Sequence, residues 1–260
     1  MLWSLVVSIL SINKSCIYKQ KNKNFYLTQY SCTEFDTILN KTELFNDESY
    51  DWRDYGIVTD IKNQRNCGSC WTFSATGAME SAWNINKFTK ISLSEQQLID
   101  CVKNDNGCNG GEMTDAFEYA IQNPMCTEKE DPYEAEDEKC INCNSNVKFS
   151  ACYKLVENNE LLMKHVVKNY GPISVAIQAD QSVFRNYEDG IIDSDSCGTN
   201  LDHGVLIVGY GVENDKKYWI VKNSWGTDWG ENGYVRILRT DNTNYEGICG
   251  IAMQPSFPVV

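Results

Sequence analysis

The chain has 260 residues, 42% of them apolar, with a formal charge of −13 and only two histidines. That length can bury a substantial core, as one large domain or as two lobes of roughly 100 residues each. An acidic balance without a basic cluster excludes nucleic acid and anionic membrane surfaces as partners, because phosphate neutralisation needs grouped Lys and Arg.

Residues 1–10 are apolar-rich but carry no preceding positive charge and have a poor cleavage site near Ser11, a pattern that reads as a degraded signal peptide over 1–12. Ten such residues cannot cross a bilayer, which takes about 20, so no stable membrane anchor is expected. Sequons at Asn13 and Asn40 are weak motifs that matter only in the secretory route. A helix starts at Cys70, where Trp71, Ala75, Ala78 and Ala82 recur at helical spacing and let another element pack close. Either Ser92 or Ser94 caps a second helix opening at Glu95, and a third helix covers about 115–122. Residues 161–167 read as an amphipathic helix carrying His165 as a structural or solvated side chain. The second half changes character, with short β-branched and aromatic runs at 173–177, 204–210, 218–222 and 234–238 separated by turn residues. Helices followed by strands give an α+β class with a cleft between two lobes. Twelve cysteines point to an oxidising compartment.

Three separated words carry chemistry: Asn63-Gln64-Arg65-Asn66-Cys67-Gly68-Ser69-Cys70-Trp71, Asp202-His203-Gly204 and Asn223-Ser224-Trp225-Gly226. His203 lies 133 positions and Asn223 153 positions after Cys70, so a thiol, an imidazole and an amide stand in separate words of the chain as candidates for one thiol-hydrolase site. A thiol with a pKa of about 8.5 is ionised only to roughly 0.03% at pH 5, so its pKa must be lowered by the helix N-terminus and by an imidazole that holds the proton. The Cys67–Cys70 pair alone also fits a redox dithiol or half a zinc site. A zinc site needs a second close pair, for which Cys140 and Cys143 are the candidates, with no histidine nearby. No metal and no organic cofactor is expected.

From about Tyr50 onward the chain resembles the papain-like cysteine peptidases, of cathepsin L-like pocket chemistry. The resemblance implies a papain-like two-lobe fold: a helical lobe over 49–157 holding Cys70, and a β-rich, barrel-like lobe over 158–260 holding His203 and Asn223. Residues 13–48 then read as a shortened propeptide remnant, with Asn24-Phe25-Tyr26-Leu27-Thr28 and Glu34-Phe35 as its traces. By the same resemblance Cys70, His203 and Asn223 are catalytic, Gln64 donates to the oxyanion, and Trp225 shields the His–Asn bond, although a core tryptophan is the plainer reading of that residue. Met113, Ala176, Leu201, Gly204 and Ala252 line an apolar pocket, while Gly110 and Gly111 pair with an extended substrate. The implied disulfides are Cys67–Cys108, Cys101–Cys140 and Cys197–Cys249, with Cys70 a free thiol and the pairing of Cys16, Cys32, Cys126, Cys143 and Cys152 open.

The implied activity is a thioester-forming endopeptidase preferring Leu, Val or Phe over Arg next to the scissile-side residue. With no spare histidine pair, a carboxydipeptidase is not expected. Its partners would be protein or peptide substrates and cystatin-type inhibitors. The protein would be a monomer in the lysosome or vacuole, or secreted. The alternative is a papain-fold binding protein, or a truncated product, that does not turn over substrate.

Overall fold

The computed structural model describes residues 30–35 and 48–260. The signal-peptide reading of 1–12, both sequons, Cys16 and the 24–28 stretch lie outside the described residues. Chain order is β1 (Thr33–Phe35), β2 (Tyr50–Asp51), α1 (Cys70–Lys87), α2 (Glu95–Cys101), α3 (Met113–Gln122), β3 (Ala151–Leu155), α4 (Glu160–Asn169), β4 (Ile173–Ile177), α5 (Ser182–Arg185), β5 (Ile191–Ile192), β6 (His203–Glu213), β7 (Lys216–Lys222), β8 (Tyr234–Leu238) and β9 (Ser256–Val259). Among the described residues the strands join in one sheet of order β1-β3-β9-β4-β6-β7-β8-β5, with β2 added on β6.

Helix α1 is the hub. It is buried almost all round, which its small residues permit: a Cβ on Gly77 would come within 2.9 Å of Leu206. Its internal hydroxyls reach neighbouring backbone, Ser74 Oγ donating to Val205 O at 2.7 Å, so polar side chains are satisfied at the helix–sheet contact. Ser94 rather than Ser92 caps α2, its Oγ accepting the Gln97 N–H at 2.9 Å. Helix α3 begins at Met113, two residues before the sequence pattern places it, because Glu112 is the extended N-cap residue.

Strand β6 is the wall between two cores. Val205 and Ile207 enter a cluster with Met163, Trp219 and Ile237, whereas Leu206 and Val208 enter a second with Trp71, Met79 and Phe117. The two-residue period of a strand puts successive side chains on opposite faces. By that alternation His203 belongs to the strand-side face and Gly204 to the α1 face. The β6–β7 hairpin turns at Asn214 and Asp215, both at positive φ (49° and 63°), as a two-residue turn matching the strand twist requires.

Five disulfides join described cysteines: Cys32–Cys152, Cys67–Cys108, Cys101–Cys140, Cys126–Cys143 and Cys197–Cys249. The reading of Cys70 as a free thiol is corrected here. No described cysteine is free, and Cys70 is itself disulfide-bonded, through a bond that is not one of these five. A sulfur set among groups that favour its thiolate is also the one most readily oxidised.

Candidate active site

Cys70 opens α1, so its sulfur lies at the positive end of an 18-residue helix, where amide groups have no intrahelical acceptor. The residue is fully buried, and Sγ accepts the backbone N–H of Gly204 at 3.0 Å. A Cβ on Gly204 would sit 3.2 Å from Met113 Sδ and 3.3 Å from both Cys70 O and Trp71 Cα. Only a residue without a side chain lets β6 approach the helix start this closely.

One residue earlier, His203 Nε2 lies 2.8 Å from Asn223 Oδ1. That oxygen also accepts the Ser224 N–H at 2.8 Å, which identifies it as the amide oxygen. Nε2 is therefore the protonated nitrogen, and Nδ1 is left with the basic lone pair. The Trp225 ring lies 4.8 Å from the imidazole and the Phe184 ring 6.1 Å away, with Trp229 behind Trp225 at 5.1 Å. Burial within this wall lowers the pKa of His203 to about 4, against the smaller raising effect of the Asn223 hydrogen bond. Imidazolium at neutral pH then requires a compensating anion beside it. Asp202 fixes the approach to this strand, its Oδ1 accepting the Ala179 N–H at 2.7 Å.

Gln64 is buried and held at three points. Its Oε1 accepts from Ser224 Oγ at 2.7 Å and from Trp225 Nε1 at 3.2 Å, and its Nε2 donates to Cys67 O at 3.0 Å. An amide nitrogen carries two protons, so Nε2 keeps a second N–H beyond the one given to Cys67 O. Tyr133 locks the loop between Gln64 and Cys70, its hydroxyl donating to Gln64 O at 2.6 Å and lying 2.7 Å from Ser69 Oγ. Sequence reasoning singled out neither Ser224 nor Tyr133 as a functional residue. Ser224 sits inside the Asn-Ser-Trp word, a usable signal; Tyr133 lies 69 residues from Gln64 with no local signal.

Of the residues that the resemblance assigns to an apolar pocket, Met113, Ala176 and Leu201 share the α1-side core, and Ala176 pairs in register with Gly204. Ala252 is buried in the other core. Met253 packs partly buried against the α1-side core, and a Cβ on Gly250 would contact both it and Leu201. Gly110 holds φ 111°, and a Cβ on Gly111 would fall 2.6 Å from the Trp71 ring, so both positions present bare backbone.

Beneath the site lies a buried charge cluster that the sequence reading did not anticipate. Lys62 bridges Glu80 at 3.0 Å and Glu95 at 2.7 Å, Thr59 donates from Oγ1 to Glu80, and Lys222 donates to Thr59 O at 2.8 Å. Burial pushes Glu95 up to about 7, opposed by Lys62, and lowers Lys222 to about 8, opposed by Glu80. A cavity of about 20 Å³ touches Glu95, Lys222, Gly204 and Asn223, room for about one water. Glu95 Oε2 and Asn223 Nδ2 are buried without a hydrogen-bond partner among the described residues.

His165 takes no part in this constellation; it sits half-buried on α4 with Nδ1 3.2 Å from Asn169 Nδ2. Among the described residues no group of three or more His, Cys, Asp or Glu is placed to hold a metal. Nor is any described helix long and apolar enough to cross a membrane.

Residues 46–259 match the family model described as papain family cysteine protease. Digestive cysteine proteinase 3 of Homarus americanus is 46% identical over 215 residues, covering 81% of this chain and 66% of the relative. A KDEL-tailed cysteine endopeptidase of Arabidopsis thaliana is 48% identical over 216 residues, covering 81% of this chain and 59% of the relative. The chain thus spans less than two thirds of the length of these relatives. Among solved structures, bromelain from Ananas comosus, with an inhibitor bound, superposes with TM-score 0.78 at 42% identity, covering 82% of this chain and 99% of bromelain. Digestive procathepsin L 3 of Tenebrio molitor gives TM-score 0.77 at 40% identity, covering 82% of this chain and 70% of its own. The architecture is therefore the two-lobe α+β fold of those enzymes.

Proposed function

The chain belongs to the papain family of cysteine proteases, and from that premise we propose that it is a cysteine-type endopeptidase whose nucleophile is Cys70, whose base is His203 and whose orienter is Asn223. The observation that carries this reading is the start of β6, where His203 is hydrogen-bonded to Asn223 while the next residue, Gly204, donates to Cys70 Sγ.

The reaction begins once an external thiol has reduced the Cys70 disulfide by exchange, being itself oxidised to a disulfide. His203 Nδ1 takes the thiol proton, and the thiolate, favoured by the α1 N-terminus, attacks the substrate carbonyl carbon. Charge developing on the oxygen is met by Gln64 Nε2 and the backbone N–H of Cys70. As the tetrahedral centre collapses, the C–N bond breaks, the amine leaves with the proton from His203, and a thioester remains on Cys70. His203 then deprotonates a water that attacks the thioester, releasing the acid and restoring the thiol.

Substrate selection rests on the apolar pocket of Met113, Ala176, Leu201, Gly204 and Ala252, in which each buried methylene is worth about 0.8 kcal/mol and an unpaired guanidinium is costly. Gly110 and Gly111 supply backbone for pairing with an extended peptide. The helical lobe over 49–157 and the β-rich lobe over 158–260 are the two walls of this cleft. Peptide substrates, cystatin-type inhibitors and a monomeric state complete the reading, with a lysosomal, vacuolar or extracellular setting supported by the five disulfides and by relatives named digestive and KDEL-tailed.

One observation favours a second reading, a papain-fold binding protein that does not turn over substrate: the bonded state of Cys70. Hydrolysis of fluorogenic peptides with Leu or Arg in the apolar subsite, from pH 4 to 8 under mild thiol reductant, separates the two. The peptidase reading expects Leu turnover that disappears in Cys70→Ala. A folded, reduced sample without turnover leaves the binding protein.

A further inference from the structure

Tyr30–Phe35 precedes the family match, which begins at residue 46, yet it is built into the folded body at several points. β1 pairs in parallel with β3, Thr33 opposite Tyr153 and Phe35 opposite Leu155, and so occupies the outermost position of the sheet. Cys32 is bonded to Cys152, 120 residues further on, and both are buried. The Cys32 N–H donates to Glu118 Oε1 of α3 at 2.9 Å. The Phe35 ring lies edge-on to Tyr153, Tyr170 and Phe257 at 5.5, 5.3 and 5.4 Å.

These contacts reach both cores. Cys32 is part of the α1-side cluster, whereas Phe35 packs on the strand-side cluster, so the segment is a strap running from one to the other. A three-residue parallel pairing is too short to persist on its own. A covalent bond changes that, because an attached strand need not be recaptured from solution and its local concentration stays high. In place, β1 also covers the β3 edge, whose unpaired backbone groups and aromatic surface would otherwise invite association.

We infer that Tyr30–Phe35 is a resident strand of the folded domain rather than a detachable leader: hydrolysis of a peptide bond between Phe35 and Glu48 leaves the N-terminal piece attached through Cys32–Cys152, giving two chains joined by a disulfide. This does not depend on the catalytic reading, since it requires only the bond, the pairing and the packing described above.

Two measurements test it. Peptide mapping of the unmodified protein without reduction is expected to yield a Cys32–Cys152 linked peptide; Cys32 recovered alkylated, or linked elsewhere, overturns the inference. In the second, a site-specific protease recognition sequence is inserted between residues 36 and 47 in a Cys16→Ser, Cys70→Ala background, so that Cys32 is the one cysteine of the N-terminal piece and autolysis is absent. After cutting, the folded sample is expected to elute as one species with the intact mass plus one water, separating into two on reduction. Adding Cys32→Ser is expected to release most of the piece on size exclusion. Elution of the piece by itself without reductant, or its full retention in Cys32→Ser, shows that the disulfide is not the tether.

Discussion

Asn223 and His203 are held in a single relative orientation: Asn223 Oδ1 accepts from His203 Nε2 and from the Ser224 N–H, each at 2.8 Å. Flipping the amide would break the backbone bond and set an N–H against an N–H. The basic nitrogen of His203 is therefore chosen by the Ser224 backbone N–H, in the segment that directly follows β7.

Replacing Asn223 by Ala removes the hydrogen bond to His203 Nε2, and with it the proposed orienter, without touching Cys70. We expect kcat to fall by about 10²-fold, within the range associated with a misplaced general base, while KM stays within about twofold. A variant with unchanged kcat would show that the aromatic wall alone orients the imidazole.

His203 titrates near 4 when no thiolate accompanies it. In Cys70→Ala, NMR of the imidazole is expected to report that depressed value, and in the reduced wild type a higher one. The linked stability has a definite sign. The unfolded chain binds this proton near 6.5 and the folded one only near 4, so from about pH 6.5 down to 4 the variant loses stability. A denaturant midpoint that is flat, or that rises as pH falls through this window, contradicts the assignment once compared with the same variant carrying His203→Gln.

Glu95 behaves in the opposite sense. Its carboxyl is raised from 4.5 to about 7, so the folded state binds a proton that the unfolded state has released, and its contribution is lost as pH rises from about 4.5 to 7. The groups facing it are Lys62, Glu80 and Glu128, with Lys222 across the cluster. Glu95→Gln, which cannot ionise, is expected to lose less stability between pH 5 and 8 than the wild type does. An equal loss in both proteins would place the pH dependence elsewhere.

Because Cys70 is bonded, iodoacetamide is expected to leave it unlabelled until a mild reductant is added, with labelling and peptide hydrolysis appearing together. Activity from a fully unreduced sample would contradict this.

Gly204→Ala drives a methyl toward Cys70 O and Trp71 Cα, both at 3.3 Å. Backbone cannot rotate aside as a side chain does, so we expect a stability loss of about 1–3 kcal/mol and a fall in kcat as β6 moves from the helix start. Thermal unfolding and initial rates check both.

The sequence by itself determined the local features: the helix opening at Cys70, the cap before Glu95, the strand runs of the second half and the family, because residue type and spacing act over one to a few turns of chain. The words around Cys70, His203 and Asn223 were legible for the same reason, each being contiguous. Tertiary structure alone decided that Gly204 meets Cys70 across 134 residues, that Tyr133 and Ser224 clamp Gln64, and that Lys62, Glu80, Glu95 and Lys222 converge beneath the site. It also decided that Cys32 finds Cys152 and that Cys70 is not a free thiol. Such pairings leave no periodic trace in a single chain; they follow from burial, which forces distant polar groups and sulfurs to take whichever partners the packed core brings within reach.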